Sequence, residues 1–176
     1  ASYTWGVPGE YGEWYGTSGS AAVNAGSYLQ GELSNYLTLT SSGGATDALI
    51  QQGYGAGATA RYNRDTLGNY FLQPGRKYGV RIRARRGATA AAGNLIIRLY
   101  EHTGAGARTT LTTATFPVTS MGEEWNVFEA YGSVAPTGLA NVSMDVYLSN
   151  VTNAATVDVA HIEVFDNEYR RGTSTL

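Results

Sequence analysis

Apolar and polar positions alternate strictly between Lys77 and Arg86: Tyr78, Val80, Ile82 and Ala84 fall on one parity, Gly79, Arg81, Arg83 and Arg85 on the other. A strand with this period sends the first set into a core and leaves a row of guanidinium groups on the opposite face, whereas a helix would scatter the arginines around its circumference. Residues 141–149 repeat the pattern, with Val142, Met144, Val146 and Leu148 inward and Ser143, Asp145, Tyr147 and Ser149 outward. Further strands are expected at 36–40, 69–72, 95–100, 109–116, 125–131 and 156–165, with Gly, Pro and Asn between them and a Pro74-Gly75 turn ahead of the clearest one. No stretch carries a helical period. About eight or more short antiparallel strands joined by turns predict an all-β fold, a β-sandwich over 35–166. Trp125 opens one strand and alternates with Val127, which assigns it to the core.

Residues 1–34 break the alternation. Six aromatics (Tyr3, Trp5, Tyr11, Trp14, Tyr15 and Tyr28) are interleaved with Gly6, Gly9, Gly12, Gly16 and Gly19, and the segment reads as an arm or a set of ordered loops. Residues 167–176 read as a polar tail. A length of 176 residues suits one domain, and neither an internal repeat nor an interdomain linker is visible. Charged residues make up only 15%, against a usual value of about 25%. The polar surface therefore falls to Ser, Thr, Asn, Gly and Tyr.

Twelve basic and fourteen acidic residues give a net charge of −2, so neither nucleic acid nor an anionic membrane is an expected partner. The six bases at Arg76, Lys77, Arg81, Arg83, Arg85 and Arg86 come with no nucleic-acid motif, and ion pairing across strands is the simpler use for them. Without cysteine there is no disulfide, thiolate metal site or thiol nucleophile. His102 and His161 are the only histidines, too few for a histidine-rich metal site. No cofactor is expected. A glycosidase needs two carboxylates about 5 to 10 Å apart. Glu101, Glu129, Asp145 and Glu163 are spread over different strands and cannot be paired from sequence.

The segment Leu72-Gln73-Pro74-Gly75-Arg76-Lys77-Tyr78-Gly79-Val80, then Glu124-Trp125-Asn126-Val127-Phe128, then 141–149 and a closing 156–165 resemble the jelly-roll carbohydrate-binding modules of the family 4, 9 and 22 type. The resemblance spans 34–166, about three-quarters of the chain, and implies a jelly-roll sandwich that binds glycans without chemistry. Its last strand usually carries one or two aspartates where this chain has Ala160 and His161. A family-like structural calcium site is left in doubt, although Asp158 and Asp166 lie near.

Sugar recognition needs flat apolar faces for the C–H side of a pyranose and planar polar groups for its hydroxyls. The outward rows supply candidates in Arg81, Arg83, Arg98, Tyr100, Asp145 and Tyr147, with Trp14 and Tyr15 as stacking platforms from the arm. A sheet face covered by another subunit is enriched in the same residue types. Tyr3, Trp5, Tyr11 and Trp14 would then be the contacts of an arm reaching a neighbour, as in coat and decoration proteins of viruses. Three readings stand: a carbohydrate-recognition domain displayed on a virion or cell exterior, a phage capsid decoration or fibre protein, and a small glycoside-active enzyme. The partners are correspondingly a glycan or a neighbouring virion or coat protein, with homo-oligomerisation open and the location the virion surface or the extracellular space.

Overall fold

The structure, a computed structural model, describes residues 2–3, 14–16, 20–29, 32–53, 72–104, 107–137 and 141–168, with side chains for 36–50, 72–101, 108–137 and 143–168. The strands are β1 (Ser2–Tyr3), β2 (Trp14–Gly16), β3 (Ser20–Leu29), β4 (Glu32–Thr40), β5 (Asp47–Gly53), β6 (Tyr78–Arg86), β7 (Asn94–Gly104), β8 (Ala107–Pro117), β9 (Asn126–Ala130), β10 (Asn141–Ser149) and β11 (Thr156–Asp166). They form two antiparallel sheets, a six-stranded one in the order β1-β2-β5-β10-β7-β8 and a five-stranded one in the order β3-β4-β11-β6-β9. The architecture is a jelly-roll β-sandwich.

Each sheet contributes one face to a single core. Leu37 and Leu39 of β4, Val80, Ile82 and Ala84 of β6, and Val157 and Val159 of β11 meet Ile50 of β5, Leu95, Ile97 and Leu99 of β7, and Met144, Val146 and Leu148 of β10, all fully buried. The parity read for 78–85 and for Met144, Val146 and Leu148 therefore holds. On β10, however, the outward set is buried as well: Ser143, Asp145 and Tyr147 are 1%, 4% and 5% exposed. The strand keeps its alternation, yet side chains of its neighbours, Arg98 on Tyr147 and Arg108 on Asp145, lie over the face that alternation would leave exposed.

Several boundaries move. Among residues 1–34, read as an arm, β3 pairs along β4 from Ser20↔Thr40 to Leu29↔Glu32, and β2 pairs with β5. The alternation there is carried by Ala21, Val23 and Ala25 against Ser20, Ala22 and Asn24, small residues with too little apolar contrast to show a period of two. β5 escapes notice for a related reason, since its inward parity, Ala48, Ile50 and Gln52, mixes a small, a large apolar and a polar residue rather than giving a clean repeat. Of the strand expected at 69–72, only Leu72 lies within the described residues. It is buried and lies outside the strands.

Trp125 is half-buried and packs against the core, but its parity partner Val127 does not. Ala84 pairs with Asn126 and Arg83 with Val127, so the parity of Trp125 and Val127 is that of the outward arginines. The core side of β9 is taken by Phe128 and Ala130, and Val127 is 45% exposed. An amphipathic strand end with aromatics on both parities gives no sequence cue to which parity goes inward.

Two connections are fixed by local chemistry. Gly75 adopts φ +83° in the turn before β6, a left-handed conformation open to glycine. Between β4 and β5, the Asp47 carboxylate accepts hydrogen bonds from the backbone N–H groups of Ser42 and Ala48 and from the Ser41 hydroxyl. Burial alone would raise this carboxyl, but the hydrogen bonds outweigh it and hold Asp47 below the usual aspartate value.

Candidate functional site

The outer face of the six-stranded sheet is built from β2, β5, β10, β7 and β8, and register brings residues far apart in sequence into one row. Tyr15 pairs with Gln51, Gln51 with Asp145, Asp145 with Arg98, and Arg98 with Thr113. Trp14 lies one row away, paired with Gln52 and through it with Met144, the row of the core residue Leu99. The two aromatics proposed as joint platforms thus occupy rows of opposite parity. Trp5 and Tyr11 lie outside the described residues. Tyr3 pairs with Trp14 in the edge ladder β1–β2.

On this face the aromatics lie beneath cations. The Arg98 guanidinium sits 5.4 Å over the Tyr147 ring, and Arg108 sits 4.1 Å over the Tyr100 ring. Arg108 also reaches the Asp145 carboxylate at 3.2 Å. Arg98 hydrogen-bonds the Tyr100 side chain, which holds the guanidinium more firmly in its charged form. Burial, and then the negative charge of Asp145, push the Tyr100 hydroxyl above its ordinary value of 10.0. Tyr100 and Tyr147 are each only 5% exposed. What faces outward is a polar strip: Arg98, half-buried, and Arg108, Thr110, Thr113 and Thr115, exposed along β8. Arg108 is the member that sequence reasoning misses, because it precedes the apolar repeat by which β8 is recognised.

Arg81 and Arg83 do not belong to this face. They lie on β6, in the other sheet, and point away from the sandwich on the opposite side. Strand alternation identifies residues that leave the core but is silent on which of two sheets carries them. On that second face Arg81 bonds Glu129 at 2.6 Å and Glu163 at 2.9 Å, and Arg85 bonds Asp158 at 2.8 Å, to which the Thr38 hydroxyl also donates at 2.6 Å. Arg85 further lies 4.8 Å over the Trp125 ring, itself edge-on to Tyr36 at 5.4 Å.

The carboxylates are thereby assigned to structural partners. Asp145 meets Arg108, Glu129 and Glu163 share Arg81, Asp166 bonds Arg76 at 2.6 Å, and the fully buried Glu101 accepts hydrogen bonds from the Thr137 backbone N–H and hydroxyl. Asp158 and Asp166, the acids nearest the family's calcium position, are both engaged by arginines. Among the described residues no group of three or more His, Asp or Glu is placed to hold a metal ion. No helix among them is long and apolar enough to cross a membrane.

No family model matches the chain, and no curated protein matches it. Solved structures do. A family 4 carbohydrate-binding module aligns over 95% of this chain and 95% of its own, with a TM-score of 0.56 at 15% identity. The fold is that of the carbohydrate-binding β-sandwich modules. A xylan-binding domain of family 22 aligns over 94% of this chain and 93% of its own, with a TM-score of 0.51 at 14% identity. The sandwich also recurs as part of larger chains. In an α-L-arabinofuranosidase of family 51 it matches at a TM-score of 0.54 and 14% identity, covering 87% of this chain but 23% of the enzyme. In the enzymatically active domain of tailspike protein 4 of bacteriophage CBA120 the values are 0.50 and 9%, covering 87% of this chain and 18% of that one.

Proposed function

We propose that this protein is a non-catalytic carbohydrate-recognition domain whose binding face is the outer side of the six-stranded sheet. The observation that carries the reading is the pair of guanidinium groups, Arg98 and Arg108, seated on Tyr147 and Tyr100, the latter arginine also bonded to Asp145, in a fold that aligns end to end with a carbohydrate-binding module. Planar donors held against buried rings are pre-organised for vicinal hydroxyls, and the threonines of β8 extend the polar strip along the same face. Tyr15 and Gln51 join the row through register. The tyrosines serve here as bases under the arginines, not as open stacking surfaces.

The test is a glycan array followed by calorimetry. A neutral oligosaccharide should bind with a dissociation constant in roughly the micromolar to millimolar range. Arg98→Ala and Arg108→Ala should each weaken it at least tenfold with the circular-dichroism spectrum unchanged, and Tyr147→Ala should cost about 1 kcal/mol or more. A folded protein that binds nothing across the array, or whose binding ignores Arg98 and Arg108, overturns the reading.

A second reading, a virion component, draws support from one observation, the recurrence of this sandwich within a phage tailspike chain. There the domain would be a structural or receptor-facing module of a particle, and the extracellular or virion-surface location would follow from that. Particle-binding assays on the same variants separate it from glycan recognition.

A further inference from the structure

The outer face of the five-stranded sheet is arranged in rows across β11, β6 and β9. Arg85 faces Asp158 across the ladder, and Arg81 faces Glu163 on one side and Glu129 on the other. Both arginines are closed into ion pairs. Arg83 lies between them, and its ladder neighbours are Ala160 and Val127. It is half-buried, and among the described residues it has no carboxylate partner and no hydrogen-bond acceptor. The sheet thus leaves one guanidinium without a counterion in a row whose flanking positions are both neutralised.

The surroundings narrow what would complete it. Val127, across the ladder, is the exposed apolar neighbour, while Trp125, two residues before it on the same parity, lies under Arg85. A guanidinium fork beside the exposed side chain of Val127 suits a ligand that presents a carboxylate next to an apolar C–H face. We propose that Arg83 is the centre of a second site, on the opposite face from the first, for a carboxylate-bearing sugar unit such as a uronate within a glycan chain. The choice of a sugar, rather than another carboxylate, rests on the function proposed above; the anion requirement rests on Arg83 alone.

A uronic-acid oligosaccharide and its carboxyl-reduced counterpart, titrated against the full chain and its variants, test this. The acidic oligosaccharide should lose at least tenfold in affinity with Arg83→Ala, recover part of it with Arg83→Lys, weaken as salt rises, and be indifferent to Arg98→Ala. Its carboxyl-reduced form should not respond to Arg83→Ala. Loss of acidic-glycan binding on Arg98→Ala but not on Arg83→Ala places the acid on the six-stranded face and overturns the second site while leaving the first reading intact. Binding through Arg83 with no neutral-glycan binding does the reverse. Failure of the acidic oligosaccharide to bind, or light scattering that finds a dimer excluding it from Arg83, also overturns the second site.

Discussion

The two outer faces of the sandwich use arginine in opposite ways. On the six-stranded face the guanidinium groups of Arg98 and Arg108 lie over buried tyrosines, and the single acid Asp145 serves Arg108 from beneath. On the five-stranded face Arg81 and Arg85 are matched to acids one strand away, and their charges are spent within the sheet. The first arrangement keeps planar donors facing outward on a rigid aromatic base. The second makes a cross-strand lattice that adds to stability and, among the described residues of β6, leaves Arg83 over. Identical side chains become recognition groups or struts according to what stands at the paired position of the next strand.

The sharpest break of this contrast would lie under both faces. Ile82 and Ile97 are fully buried, one from each sheet, so either isoleucine replaced by alanine should cost about 2 to 5 kcal/mol in chemical denaturation. A large loss at one and a small loss at the other would mean that the sheets do not share one core. Next in size are the ion pairs: Arg85→Ala takes the arginine from the half-buried Asp158 and a cation from Trp125, Arg108→Ala takes the arginine from the buried Asp145 and a cation from Tyr100, and each should destabilise by about 1 to 2 kcal/mol. The distinction between strut and recognition group then lies in glycan affinity, which should fall with Arg108→Ala and not with Arg85→Ala; an equal fall at both would erase it.

A pH experiment addresses the tyrosine base. Because the folded protein holds the Tyr100 proton more tightly than the unfolded chain, the neutral ring's contribution is fully present below about pH 10 and falls away as pH rises through the raised folded value. Tyr100→Phe should therefore flatten the alkaline limb of the thermal melt while leaving neutral pH little changed. Asp47 works at the other end. Its lowered value contributes stability above pH 3.8 that is lost as pH falls further, and Asp47→Asn should shallow the acid limb. The smallest expected effect is Arg83→Ala, within about 0.5 kcal/mol of the parent, since no ion pair is broken.

The fold was largely legible because its central strands alternate with strong contrast. Tyr78 to Ala84 and Met144 to Leu148 fall as their periods demand. β3 is hidden because Ala, Ser and Gly differ too little in hydropathy, and the exposure of Val127 is not legible because its strand carries aromatics on both parities. The candidate site was only half legible. Arg98, Tyr100, Asp145 and Tyr147 do converge, through the β7–β10 register, but Arg81 and Arg83 were grouped with them although they sit on the far sheet. Sheet membership depends on pairings between segments far apart in sequence, such as that joining Thr38 to Asp158, 120 residues on, and a period of two carries no trace of those partners.

The place of β11 in the five-stranded sheet bears on how the chain is made. It is the last strand in sequence, yet it lies between β4 and β6, with both of its edges hydrogen-bonded. Until residues 156–166 have left the ribosome, β4 and β6 each present an unpaired edge and Leu37, Leu39, Val80 and Ile82 lack Val157 and Val159 as neighbours. The five-stranded sheet cannot close from the N-terminus onward; it closes by insertion, a pairing of high sequence separation that is slow by its topology. A nascent chain stalled ahead of Thr156 carries two adhesive edges side by side, and the same gap that receives β11 in the finished protein would accept a strand from another copy.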